Sequence, residues 1–182
     1  MIVTPKIVIR LALILLISVV VQLAFLSGIS LVGTAPALLP AVVVALGLLG
    51  GAVVGAVCGF AAGLLLDSAL LQTLGVSSLV LLTAGYLAGR YREGFDISNP
   101  LVPPLLTAGL TLLAASGFSA IQLMLGVEAP ISPLVLREIL VQAVLGFLLA
   151  IPVYPALRRM LRPALVEDVP RRGRLPIPFR TA

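Results

Sequence analysis

Asp67 closes the stretch GGAVVGAVCGFAAGLLLD, which begins at Gly50. It is the carboxylate set nearest to a long apolar core. Gly51, Gly55, Gly59 and Gly63 precede it at intervals of four, and Asp67 itself falls on the next step. Three kinds of chemistry are open to such a group. It can hold a proton or a cation, it can anchor a polar partner, or it can accept hydrogen bonds from the backbone N–H groups of the SALLQ turn that follows. An aspartate at the middle of a bilayer costs about 3 kcal/mol on insertion scales, and much less near the interface. Proton transport needs further buried polar groups, and the apolar runs offer Gln22, Gln72, Gln122 and Gln142, all uncharged.

Other chemistries are poorly supplied. The chain has no histidine, hence neither the usual proton shuttle nor the commonest metal ligand. Cys58 is the only cysteine, which rules out an internal disulfide and a zinc cluster. Lying in an apolar run, it reads as a small packing residue. No nucleophile–base pair or paired carboxylates stand out, so an enzyme is not expected, and no cofactor or metal site is implied.

The elements that position Asp67 must be membrane helices. Of 182 residues 60% are hydrophobic and 10% charged, and the mean hydropathy is +1.23. Soluble domains are closer to half apolar and a quarter charged. The net charge of +5 is distributed in clusters. Lys6 and Arg10 lie at the start, Arg90 and Arg92 in the middle. Arg158, Arg159, Arg162, Arg171, Arg172, Arg174 and Arg180 crowd the end, and only Arg137 stands apart. Basic clusters separated by long apolar runs are a topology signal and not that of a nucleic-acid binder.

Six apolar runs predict an all-α integral membrane protein with six transmembrane helices. The first covers Ile7 to Leu26, about the length that crosses a hydrocarbon core, and reads as an uncleaved helix. Pro36 and Pro40 open the second, which ends near Leu49; proline costs a helix nothing in its first turn. Gly50–Gly51 permits a tight turn into a third helix, expected to end near Leu66. These two are short for full spans. Asp67 to Ser78 is expected to link to a fourth run ending at AGYLAGRYR. The fifth run covers Leu101 to Leu125 and the sixth Leu134 to Leu157, with Pro152 and Pro155 near its end. With Lys6 and Arg10 in the cytoplasm, six crossings return the arginine-rich tail to the same side and put Arg90 and Arg92 there too. Asp67, Glu128, Arg137 and Glu138 then fall at or near the outer face. Residues 1–157 form the membrane domain and 158–182 a basic tail, mostly irregular. Arg90, Arg92, Arg158, Arg159 and Arg162 are expected to anchor topology and to contact anionic lipid, at about 1 kcal/mol per residue near the surface.

Glycine costs a helix about 1 kcal/mol relative to alanine, so the four-residue ladder calls for a compensating contact. A step of four turns a helix by 400°, and the glycines therefore trace a slowly winding groove. From Gly51 to Asp67 it rises about 24 Å. Helices in lipid associate by close van der Waals packing, which small residues permit. A second helix is expected along this groove, from the same chain or from a partner. Ala52, Ala56 and Ala62 widen the smooth face, and Gly85 and Gly89 repeat the spacing on the fourth helix.

GFAAGLLLD with Leu74–Gly75 and Gly85–Tyr86, together with VQLAFL at Val21 to Leu26 and Pro36, resembles MreD, the rod shape-determining membrane protein family of bacteria. Length, span number and charge layout agree over nearly the whole chain, while the specific part is confined to Gly59 to Tyr86. The resemblance implies a six-helix fold similar to the substrate-binding components of energy-coupling-factor transporters. It implies a non-enzymatic role in cell elongation in the bacterial cytoplasmic (inner) membrane. MreC is the implied direct partner, with RodA, a class B penicillin-binding protein and, indirectly, MreB. Phe60, Gly63, Asp67 and Gly75 match the family motif by position. The uncharged Gly50–Gly51 turn departs from it, since many relatives carry a basic residue there.

Two functions follow from different classes. One is a membrane scaffold that links wall synthesis to the cytoskeleton through MreC. The other is the substrate-binding component of a small-molecule, vitamin-type importer, which needs a pocket with a few placed polar groups. The outer loops are short and poor in aromatic and polar residues, which favours the scaffold. A lipid or peptidoglycan enzyme finds no catalytic set.

Overall fold

A computed structural model of the chain describes residues 5–26, 38–71, 75–95, 101–124, 126 and 133–165. Among them are six α-helices: α1 (Pro5–Val21), α2 (Leu38–Gly50), α3 (Ala52–Leu70), α4 (Val76–Gly94), α5 (Val102–Met124) and α6 (Pro133–Leu165). A π-helical turn, Gln22–Leu26, continues α1. Three stretches are long and apolar enough to cross a membrane, Ala52–Leu70, Val102–Met124 and Arg137–Leu161. The apolar parts of α1 and α2 are shorter, and α4 carries Arg90, Arg92 and Glu93 in its last turns.

The bundle is built around α2. Every residue from Ala41 to Leu49 is buried, and α2 touches each of the other five helices. Leu39, Val42, Val43 and Leu46 pack with Ile14 and Leu15 of α1, Cys58 of α3 and Leu157 of α6. On the opposite side Val44 and Leu48 pack with Ala84 and Ala88 of α4 and Leu110 of α5. Half-buried Tyr154 of α6 joins both groups. The burial explains the length of α2. Its 13 residues rise about 20 Å, less than the roughly 30 Å of a hydrocarbon core. A helix enclosed by protein need not match the lipid. Being apolar all round, it carries no polar stripe to orient it.

The outer helices show the complementary pattern. On α1, Ile14, Leu15, Ser18 and Val19 face inward while Ile9, Leu13, Leu16 and Val20 are exposed. Ser18 spends its hydroxyl on the Ile14 carbonyl at 2.7 Å, so it brings no unsatisfied polar group into the core. On α6, Leu140, Val144, Leu148 and Ile151 face outward.

Three boundaries differ from the sequence expectation. α3 does not stop near Leu66 but runs to Leu70, which places Asp67 inside the helix. α4 begins at Val76, so the linker is much shorter than Asp67 to Ser78. α6 continues through Pro152 and Pro155 to Leu165. Proline removes one N–H bond and crowds the preceding turn, but an apolar helix has little to gain from unravelling where water is excluded. Arg158 and Arg159 thus stand exposed on a helix, and Arg162 belongs to the same helix. Residues 166–182, Pro36, Gln72 and Glu128 lie outside the described residues.

Candidate functional site

The most extensive helix–helix contact in the molecule is between α3 and α4, and glycine makes it. A Cβ on Gly55 would fall on the carbonyl oxygen of Gly85, and a Cβ on Gly85 would fall on that of Gly55. One turn on, a Cβ on Gly59 would strike the Leu81 carbonyl, and one on Gly63 would strike the backbone of Ser78. In the other direction Gly89 abuts the backbone of Ala52. The two helices run antiparallel and keep one register from Ala52–Gly89 to Gly63–Ser78. The groove is therefore filled, in this chain, by α4. Backbone lies against backbone, so no side chain can swing away to admit a Cβ.

Gly47 of α2 joins the same seam. A Cβ there would lie 2.6 Å from the Gly85 carbonyl and 3.1 Å from the Ala88 Cβ. The sequence signal was present, since Gly47 stands four residues before Gly51. The chain reverses at Gly51, with φ +93°, and this brings Gly47 to the seam from a second helix.

Asp67 lies on the last step of the ladder. It is 1% exposed, and its Oδ2 accepts the N–H of Gly75 at 2.8 Å. Gly75 is the residue before α4, in the left-handed region at φ +102°. The carboxylate therefore serves the N-terminus of the next helix, where a negative charge also meets the positive end of the dipole. This corrects the expected cap of the SALLQ turn. That turn continues α3 and ends at Leu71, φ 51°, whose N–H returns to the Asp67 carbonyl.

The other end of the seam is closed from α4. Glu93 Oε1 accepts the N–H of Ala52 at 3.0 Å, at the start of α3. Arg92 donates from Nη1 to the Leu49 carbonyl, at the end of α2. Each charge sits at the helix end whose dipole it complements. Arg90 adds an ion pair to Glu93 at 3.6 Å. The Gly50–Gly51 turn, uncharged in itself, is thus covered by charges from α4, a feature invisible from its own sequence.

Phe60 does not belong to the seam. It is 45% exposed and shares an outward stripe with Val53, Val57 and Leu64. Among the described residues, no three His, Cys, Asp or Glu side chains come together as a metal site.

At the Asp67 end of the bundle lies a pocket of about 590 Å³ to which α2 to α6 and the π-helical turn contribute. The amides of Gln22, Gln122 and Gln142 and the carboxylate of Glu138 line it. Gln22, at the π-helical turn, also accepts the Leu38 N–H at 2.7 Å and so caps α2. Sequence reasoning named the three glutamines as polar groups but looked to the loops for a pocket; the helices build it.

The sequence model of the family described as "rod shape-determining protein MreD" matches residues 5–163. Comparison with curated proteins gave no match, and neither did comparison with solved structures.

Proposed function

The chain belongs to the MreD family of rod shape-determining membrane proteins, and from that premise we propose that it is a non-enzymatic, multi-pass scaffold of the bacterial cell-elongation machinery. The observation that carries the reading is the family match over residues 5–163, nearly the whole chain. On this reading all six helices sit in the cytoplasmic membrane, with both termini and Arg90, Arg92 and Arg158 on the cytoplasmic side. Basic residues at the ends of α1, α4 and α6 support that orientation. A single-span MreC-type protein is the direct partner. RodA and a class B penicillin-binding protein work with it, and MreB is reached indirectly.

Packing bears on where the partner sits. Gly55, Gly59 and Gly63 are occupied by α4, so a partner helix has to use another surface. Phe60 is the motif residue turned outward, and we place partner contact there, with Val57 and Leu64 beside it. Affinity purification in mild detergent tests this. Wild type retains the MreC-type protein, and Phe60→Ala loses it at unchanged folded yield. Retention by a folded Phe60→Ala variant moves the contact elsewhere.

The polar pocket is the observation that favours a second reading, a substrate-binding importer component with a fold like that of energy-coupling-factor transporters. Co-purification of an ATPase-linked transport subunit in place of an MreC-type protein would establish it over the scaffold.

A further inference from the structure

We infer that the pocket between the helices is a binding site for a small amphipathic molecule whose polar end is cationic, and that it rejects anionic amphiphiles. The inference is independent of how the chain meets its partners.

Size comes first. About 590 Å³ lies within the range of small-molecule sites, which are mostly apolar with a few placed polar groups. Leu39, Leu66, Val80 and Phe118 supply apolar wall from four helices. Polar groups interrupt it on α4, α5 and α6, namely Ser77, Gln122, Glu138 and Gln142. Gln142 lies well inside α6, and polar side chains inside membrane helices are expensive unless used.

Thr111, on α5, lines the pocket as well. Several helix hydroxyls in the bundle return to the carbonyl four residues back: Thr107 to Pro103 at 2.8 Å, Thr83 to Leu79 at 2.8 Å, Ser119 to Ala115 at 3.0 Å; the Ser78 hydroxyl, away from the pocket, is buried without a partner among the described residues. Thr111 is 2% exposed, and its Oγ1 has no hydrogen-bond partner among the described residues. A Cβ on Gly146 of α6 would come 2.8 Å from that oxygen. A buried hydroxyl left unpaired costs stability, and this one is closed against Gly146, so Thr111 meets the cavity through the rest of the residue.

Charge selects the ligand. Glu138 is the only charged residue in the lining among the described residues. Among the described residues it forms no ion pair, and no arginine or lysine lines the pocket. An anion entering between apolar helices would lose its hydration and meet a carboxylate. A cation would meet Glu138, an exposed side chain, and Gln122 and Gln142 carry amide carbonyl oxygens suited to an ammonium or amide N–H.

The test uses the full chain in nanodiscs of zwitterionic phosphatidylcholine, with three probes of similar size: benzyltrimethylammonium, N-benzylacetamide and benzenesulfonate. Binding is followed by saturation-transfer NMR. The cation should bind most tightly and the sulfonate not at all. Glu138→Gln should weaken the cation about fivefold and leave the neutral amide unchanged. Gln142→Leu should weaken the amide, and Ala115→Phe, on the pocket wall, should remove both. Helical circular dichroism confirms that each variant is folded. If the sulfonate binds as well as the cation, or a folded Glu138→Gln variant keeps full cation affinity, the assignment is wrong. If none of the probes binds folded wild type, as when a lipid chain fills the space, the site does not exist as described.

Discussion

Gly55 and Gly85 meet backbone to backbone, each occupying the space into which the other's Cβ would point. This reciprocal contact sets the distance between α3 and α4. An alanine at either position has nowhere to go unless the helices separate. Overpacking of this kind costs about 1–3 kcal/mol. Gly55→Ala and Gly85→Ala should each lower the thermal midpoint of the detergent-solubilised protein. Gly109→Ala serves as the control, since nothing lies within 4 Å of its Cβ position. It should be neutral or add up to about 1 kcal/mol, because alanine is the better helix former.

The Asp67 carboxylate ties the end of α3 to the start of α4 through Gly75. Asp67→Ala removes the acceptor and leaves an N–H without its partner, at a cost of about 0.5–2 kcal/mol. Asp67→Asn keeps an acceptor oxygen and loses the charge, so it should cost less. Thermal melts in one detergent would rank wild type above Asn and Asn above Ala. Equal melts for all three would mean that the hydrogen bond contributes nothing.

Glu93 and Arg92 hold the α2–α3 reversal from 41 and 43 residues away in sequence. Glu93→Ala uncaps α3 and should cost about 1 kcal/mol. Its local signature is faster hydrogen exchange at Ala52 to Val54, the first turn of α3, with exchange near Asp67 unchanged. Arg92→Ala should act instead on the last turn of α2, where the Leu49 carbonyl loses its donor.

Much of this could be read from the chain, for identifiable reasons. A four-residue glycine step maps directly onto one helix face, so the close approach of a helix to α3 was legible, and Gly85 and Gly89 pointed to α4. The end of α3 was not. Asp67 looks like a helix terminator because its partner Gly75 lies beyond the linker, and only the folded chain brings the two together. The central position of α2 leaves no mark either, since a uniformly apolar helix has no face to read. Pro152 and Pro155 suggested an early end to α6, but the helix runs through them to Leu165, because an apolar segment gains little by unravelling where water is excluded. The pocket draws single polar residues from separate helices, and no local pattern joins Gln22 to Glu138.

The scaffold reading is tested most directly by depleting the protein in the bacterium that encodes it and measuring cell length against width. The account predicts that rods shorten and round up, and that wild type restores the rod. It also predicts that Phe60→Ala, present in the membrane at wild-type level, fails to restore it. Cells that keep their aspect ratio through complete depletion would contradict the assignment to cell elongation.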